Sequence, residues 1–422
     1  MKTDRLSLEN ITKVSFLVLV FSLGFMQPSL NFGGSAVQLT DLAFLLAGAL
    51  WLASLLNRKT TFRLDPLFLP LAFYFFALLL SAVFSVNPRI SFIKLLGESY
   101  LIGLAVLTFN FVRSVGFCRK VIFVWLAASS VTSLIGLFTI VLFYIDRSNV
   151  LHEYFLHHYG SLTPGNYPRI QSTFVYPSLL CNYLTVSILF VLAIWRLSWI
   201  RRNLALLLLA LYMVTAAFTI TPGLGGILLG IFVWCSLVLE NNKKKFSQLS
   251  LHLGVISAFA FFIVSAFTLR PIPTSPFRYV LFGFTVDPTQ RLLAWKGAFE
   301  TFLDNPFTGK GLGLGAANVL FMPPSGEMQL LTDAHNTWLN ISGQSGIAAV
   351  AAISVLCILL LRRSLPFDLD NSELSALRSC FGIAFISAFL FQGLVGSFEN
   401  ARHLWVLIGL ILSVGSFPKE NS

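Results

Sequence analysis

The sequence predicts an all-α fold: a polytopic transmembrane helical bundle of ten to twelve spans with a large, partly helical outer loop. Three observations predict it. Hydrophobic residues make up 56% of the 422 residues and charged residues only 11%, against about 25% charged in soluble domains. The apolar residues fall in runs of about 20, the length a helix needs to cross a bilayer. Most Lys and Arg residues stand at the ends of those runs and not inside them. At a mean hydropathy of +0.79, no water-soluble fold could hide so much apolar surface, so lipid is the expected solvent for most of a single domain, 1–422.

The runs lie near 14–30, 37–56, 66–86, 91–111, 121–145, 177–195, 203–220, 224–239, 249–269, 337–361, 379–397 and 404–417. The first has a basic start but no small-x-small cleavage site after it, so it is expected to be a span and not a removed signal. The stretch 203–239 would be about 55 Å long as one helix, too long for one crossing. Arg201 and Arg202 precede it and Lys243–Lys245 follow it. Both ends are therefore expected on one side, with TPGLGG at 221–226 as the hairpin between two spans.

Placing the N-terminus inside puts 19 of the 29 Lys and Arg residues on inner segments and gives every inner connection at least one. Both termini are then cytoplasmic. The net charge of +11 is accordingly topological and implies no nucleic-acid partner. The five cysteines lie in or beside apolar runs, with no disulfide framework and no CxxC metal signal.

Two outer connections are long, 146–176 and 270–336, and irregular sequence gathered on one side marks that side as the working face. Outer loops should be poor in cations, yet these hold Arg147, Arg169, Arg270, Arg278, Arg291, Lys296 and Lys310. Cations at the outer membrane edge suit an anionic ligand, and Arg grips phosphate with a planar fork. The plainer alternative pairs them with lipid headgroups or with Asp146, Glu153, Asp287 and Glu300. The stretch 287–307 predicts a surface helix with Asp287 at the N-cap and Pro288 at N1, with Arg291 and Trp295 on one face. TGKGLGLG follows at 308–315. It lacks the order of a nucleotide-binding loop and is expected to be a turn that lets backbone approach a ligand.

His335 and Asn336 then stand where the chain re-enters the membrane. A neutral imidazole there could take a proton from a sugar hydroxyl; a merely structural, interfacial His is the alternative. His152, His157 and His158 fit no metal spacing and are expected in a solvated loop. Lys94 and Glu98, four apart within a span, are expected to pair.

RLLAW…NPFTGKGLGLG…DAHNTWLNISGQSGI (291–347), PRIQSTFVYPSLLCNYL (168–184) and the order of the spans together resemble the O-antigen ligase and polymerase family, the Wzy- and WaaL-type integral-membrane glycosyltransferases. The resemblance covers most of the layout, though about 75 residues carry the motifs. It implies inverting glycosyl transfer at the periplasmic face of the bacterial inner membrane, with no cofactor and no metal. The donor would be an undecaprenyl-pyrophosphate-linked glycan, and the acceptor a hydroxyl on a glycan, lipid or protein. By the same likeness His335 would be the general base. Arg291 and Arg169 would hold the pyrophosphate, with Asn336, Trp295, Lys310 and Arg278 as further substrate contacts. One departure stands out: many relatives carry Ser-Arg-Gly at the hairpin, where this chain has Pro222 in place of the Arg. Either another cation such as Arg278 compensates, or the donor chemistry differs, or activity is lost. The alternatives in other classes are a transporter or flippase of lipid-linked sugars and a non-catalytic relative in polysaccharide assembly.

Overall fold

The computed structural model describes residues 8–32, 35–159, 167–239, 270–272, 275–281, 284–286, 290–321, 328–365, 367, 369 and 372–417. The apolar run at 249–269, the cation cluster Lys243–Lys245 and the expected helix start at Asp287 and Pro288 lie outside the described residues.

Thirteen α-helices are described: α1 (Leu8–Ser22), α2 (Leu39–Leu56), α3 (Phe68–Val83), α4 (Pro88–Phe111), α5 (Val115–Ile145), α6 (Leu151–Phe155), α7 (Pro177–Arg196), α8 (Arg202–Ala217), α9 (Leu224–Leu239), α10 (Gln290–Asp304), α11 (Thr337–Ser364), α12 (Glu373–Phe385) and α13 (Arg402–Gly415). Six segments are long and apolar enough to cross a membrane: α2, α4, α5, α7, α11 and 373–394, where α12 runs on through a π turn and a 3-10 turn. α3, α8, α9 and α13 are apolar but shorter.

Local sequence sets several helix starts. Asn87 caps α4 with Pro88 at N1, Ser114 caps α5, Pro177 opens α7 and Ser372 caps α12. The expected hairpin break is present, since α8 ends at Ala217 and α9 begins at Leu224.

The connections expected on the outer side are less purely helical than expected. They form short antiparallel ribbons: β1 (Leu30–Phe32) with β2 (Ser35–Val37), β3 (Leu156–Tyr159) with β4 (Tyr167–Ile170), β5 (Arg270–Ile272) with β6 (Ser275–Leu281) and β7 (Phe284–Val286), and β8 (Val319–Phe321) with β9 (Gln329–Leu331). Pairing satisfies backbone N–H and C=O groups that a bare loop would leave open. His152 also departs from expectation: its side chain is buried against the Phe143 ring and is not solvated.

Burial separates centre from periphery. In α7, 78% of the apolar window is buried, against 22% in α2. Leu42, Leu45, Leu46 and Leu52 of α2 point outward, an arrangement suited to lipid and costly in water. Because lipid is itself apolar, helices here associate through close packing and hydrogen bonds, the latter contributing roughly 0.6–2 kcal/mol each. A Cβ on Gly409 of α13 would stand 2.6 Å from the Ala105 carbonyl oxygen of α4, so glycine sets that approach. Trp125 of α5 stacks on Tyr183 of α7 and donates to Ser187 Oγ at 3.0 Å.

Polar pairs sort to the two ends of the bundle. One end holds the Arg363–Asp65 ion pair at 2.6 Å, with Arg63 and Arg113 beside it. The other holds Arg402–Asp41 at 2.8 Å and the candidate site. Asp41, within the apolar run 37–56, is in the first turn of α2, where it accepts from the Gln38 backbone N–H.

Candidate functional site

α11 begins with an Asn-Thr-Trp sequence whose first residue is its N-cap. Asn336 Oδ1 accepts from Trp338 N at 3.0 Å and Leu339 N at 3.1 Å, while its Nδ2 donates to Leu394 O at 3.0 Å. Asn336 is buried, and this cap fixes the turn immediately before it.

That turn carries His335 at φ +49°. A non-glycine residue in the left-handed region is uncommon and costs of order 1–3 kcal/mol, so the surroundings must hold it. Asp333 does so, its Oδ1 accepting from His335 N at 2.7 Å. The same oxygen accepts from Asn340 Nδ2 at 3.0 Å and Ser397 Oγ at 2.5 Å. Asn340, one turn into α11, accepts from Ala334 N and donates to Glu399 Oε1 at 3.1 Å. The segment 397–399 is thereby tied to the histidine turn.

The half-buried imidazole of His335 is held below its ordinary value, first by burial and further by the nearby Arg291 cation, with Asp333 opposing. Near neutral pH it is therefore uncharged, as a proton acceptor must be. Burial, with Asp333 adding repulsion, raises the Glu399 carboxyl to about 7.

Arg291 and Trp295 come from α10, which packs on α11 through a small-residue face. Ala294, Gly297 and Ala298 are buried, and Ala298, Ala316 and Ala334 form a local core with Leu339 against them. Phe299 and Leu303 of α10 are exposed. His335, Asn336 and Arg291 are thus brought together.

The glycine turn has a different role from the one expected. Gly309, Gly311, Gly313 and Gly315 all have positive φ, but the backbone they bring close belongs to the chain itself. Lys310 N donates to Gly343 O at 2.9 Å, Gly311 N to Gln344 O at 3.1 Å and Gly313 N to Gln344 Oε1 at 2.8 Å. α11 answers with Gly346 at φ +70°, a non-helical break against which the turn seats. Lys310 itself lies beside the α3–α4 connection, its carbonyl accepting from Val86 N.

Arg169, on β4 opposite His157, donates from Nε to Thr219 O at 2.8 Å. It therefore stands at the α8–α9 hairpin, next to the position occupied by Pro222. A buried polar chain links this hairpin to α11. Gln392 Nε2 donates to Gly223 O at 2.6 Å, and Thr337 Oγ1 donates to Gly396 O at 3.1 Å. Arg278 falls within β6, and its side chain lies outside the described residues.

Sequence reasoning missed Asp333, Asn340, Ser397 and Glu399. The available signal was the polar turn SFENAR (397–402) between two apolar runs. Lys94 and Glu98 do pair, at 3.4 Å, and Lys94 also donates to Asn400 Oδ1 at 2.7 Å. Among the described residues no three His, Cys, Asp or Glu side chains converge as a metal-ligand set.

Comparison with known protein families finds no family model that matches the chain, and comparison with curated proteins finds no match.

Proposed function

We propose that the protein is a glycosyltransferase of the outer face of a bacterial inner membrane. It would move or polymerise a glycan from undecaprenyl pyrophosphate onto an acceptor hydroxyl, as an O-antigen ligase or polymerase does. The observation that carries the reading is His335: an uncharged imidazole held in a strained turn at a helix start, within electrostatic reach of Arg291. The acceptor oxygen attacks the anomeric carbon as His335 takes its proton, and the glycan–phosphate bond breaks. The released pyrophosphate gains negative charge, which Arg291 and Arg169 offset. Arg169 beside the hairpin supplies a cation where Pro222 cannot. Asn336 holds the turn through its cap, and Trp295, Lys310 and Arg278 complete the substrate surface.

The wider topology belongs to the same proposal: ten to twelve spans, both termini cytoplasmic and the site periplasmic. Sorting of Arg63, Arg113 and Arg363 to the end opposite the site supports it. Cysteines placed at Ser161 and Ser325 should react with an impermeant thiol reagent in intact spheroplasts, and those at Asn242 and Ser372 only after lysis. External labelling at Asn242 would overturn the orientation.

Arg291→Lys tests the ligand role. A point charge cannot reproduce the guanidinium fork, so most glycan product should be lost at normal protein level. Near-normal product from Arg291→Lys counts against the assignment.

A second reading, a carrier of lipid-linked sugars, draws on polar groups deeper in the bundle. His403 Nε2 lies 2.6 Å from Asn182 Oδ1, and Asn182 Nδ2 donates to Gln392 Oε1 at 2.6 Å. Buried polar groups of this kind often mark transport pathways. Product formation by purified protein separates the two readings.

A further inference from the structure

A small cavity opens beside the histidine turn, lined by Tyr74, Lys94, Glu98, Ser345, Glu399 and Asn400, among others. It has room for an occupant about the size of one water molecule. Three of its lining residues carry a buried oxygen with no hydrogen-bond partner in the chain: Glu98 Oε2, Glu399 Oε2 and Ser345 Oγ. Their residues are 2%, 7% and 1% exposed. Buried polar atoms are nearly always satisfied, so three orphans around one cavity call for a ligand.

The charge balance decides its class. Glu98 and Glu399 contribute two carboxylates, and Lys94, paired with Glu98 Oε1, contributes one cation. One negative charge is left over; a proton on Glu399, whose carboxyl is raised to about 7, can balance it, and a cation competes with that proton more strongly as pH rises. Gln344 also lines the cavity, and its carboxamide oxygen accepts from Gly313 N. The donors offered by Glu98, Glu399 and Ser345 are hard oxygens, which suit hard cations and not the soft, thiolate-seeking metals. A monovalent ion replaces that single proton without leaving a net charge.

We infer that this cavity binds a monovalent alkali cation of sodium size between the carboxylates of Glu98 and Glu399 and the hydroxyl of Ser345, tying α4, α11 and the 397–402 turn together. The ion ligates the same Glu399 that accepts from Asn340, so its binding stiffens the turn that holds His335. The assignment stands apart from glycan transfer, because stability is its readout.

The test uses the full-length protein in detergent, with thermal unfolding followed as NaCl replaces N-methyl-D-glucamine chloride at constant ionic strength. The midpoint should rise and saturate in sodium and stay flat when the organic cation is varied alone. Glu399→Gln and Ser345→Ala should each raise the half-saturating sodium concentration about tenfold or more, in line with the cost of disturbing a metal's ligand shell. Equal midpoints in sodium, lithium, potassium and N-methyl-D-glucamine would overturn the site, and this comparison needs only wild-type protein. A saturating sodium response unchanged in both variants would place the ion elsewhere and equally overturn it.

Discussion

Replacing His335 with alanine is expected to lower glycan transfer by about 10²–10⁴, the usual cost of removing a general base, while protein level stays near normal. The side chain is half-buried, and the turn is held by backbone and by Asp333, Asn336 and Asn340 rather than by the imidazole. His335→Gln keeps polarity and rough size but cannot accept a proton near neutral pH, so it should be nearly as poor. A structural histidine gives the opposite pattern, with glutamine restoring function and alanine lowering abundance. Transfer per folded molecule is the quantity to measure, and a glutamine variant close to wild type would remove His335 from the mechanism.

The second large effect concerns folding. Gly346→Ala is expected to cost on the order of 4 kcal/mol or more, at the extreme of single substitutions. Two causes add. Gly346 has φ +70°, where an L side chain is strained, and a Cβ there would overlap the Phe307 carbonyl, which is backbone and cannot swing aside. With total stability commonly 5–15 kcal/mol, little folded protein should remain. Gly97→Ala is the control: nothing lies within 4 Å of its Cβ position. It should be neutral or stabilise α4 by up to about 1 kcal/mol. Folded yield and thermal midpoint in detergent decide the matter. A Gly346→Ala protein as abundant and stable as Gly97→Ala would contradict the seating of the glycine turn on α11.

The membrane-spanning pattern was legible because lipid imposes a length and a polarity on every helix that crosses it. Positions of α2, α4, α5, α7 and α11 follow, to within a few residues at their starts, from the apolar runs. The Lys94–Glu98 pair was legible for a similar reason, since helical periodicity puts residues four apart on one face. What failed were features that depend on distant partners. Four alternating glycines signal close approach, but nothing local says whether a ligand or α11 comes close. Glu399 meets Asn340 across 59 residues of sequence, and no period links them. Asp41 pairs with Arg402, at the start of a helix 361 residues away, and nothing in the run 37–56 announces that partner. The ribbons were hidden because their strands are mostly three or four residues long, too short for alternation to register.

The central claim is that an uncharged His335 accepts the acceptor's proton at the start of α11. The most direct measurement is transfer by purified, reconstituted wild-type protein from an undecaprenyl-pyrophosphate-linked glycan to an added acceptor, followed from pH 5 to 8. Burial and Arg291 lower the imidazole from its ordinary value. The neutral, active form should therefore persist through neutral pH, and the rate should fall only on the acid side, below the usual imidazole range near 6.5. The account predicts a new glycosidic bond, release of the lipid pyrophosphate and that acid limb, with the limb missing from the residual activity of His335→Gln. Movement of the donor across the bilayer with no glycosidic product would contradict it, as would transfer whose acid limb survives in His335→Gln.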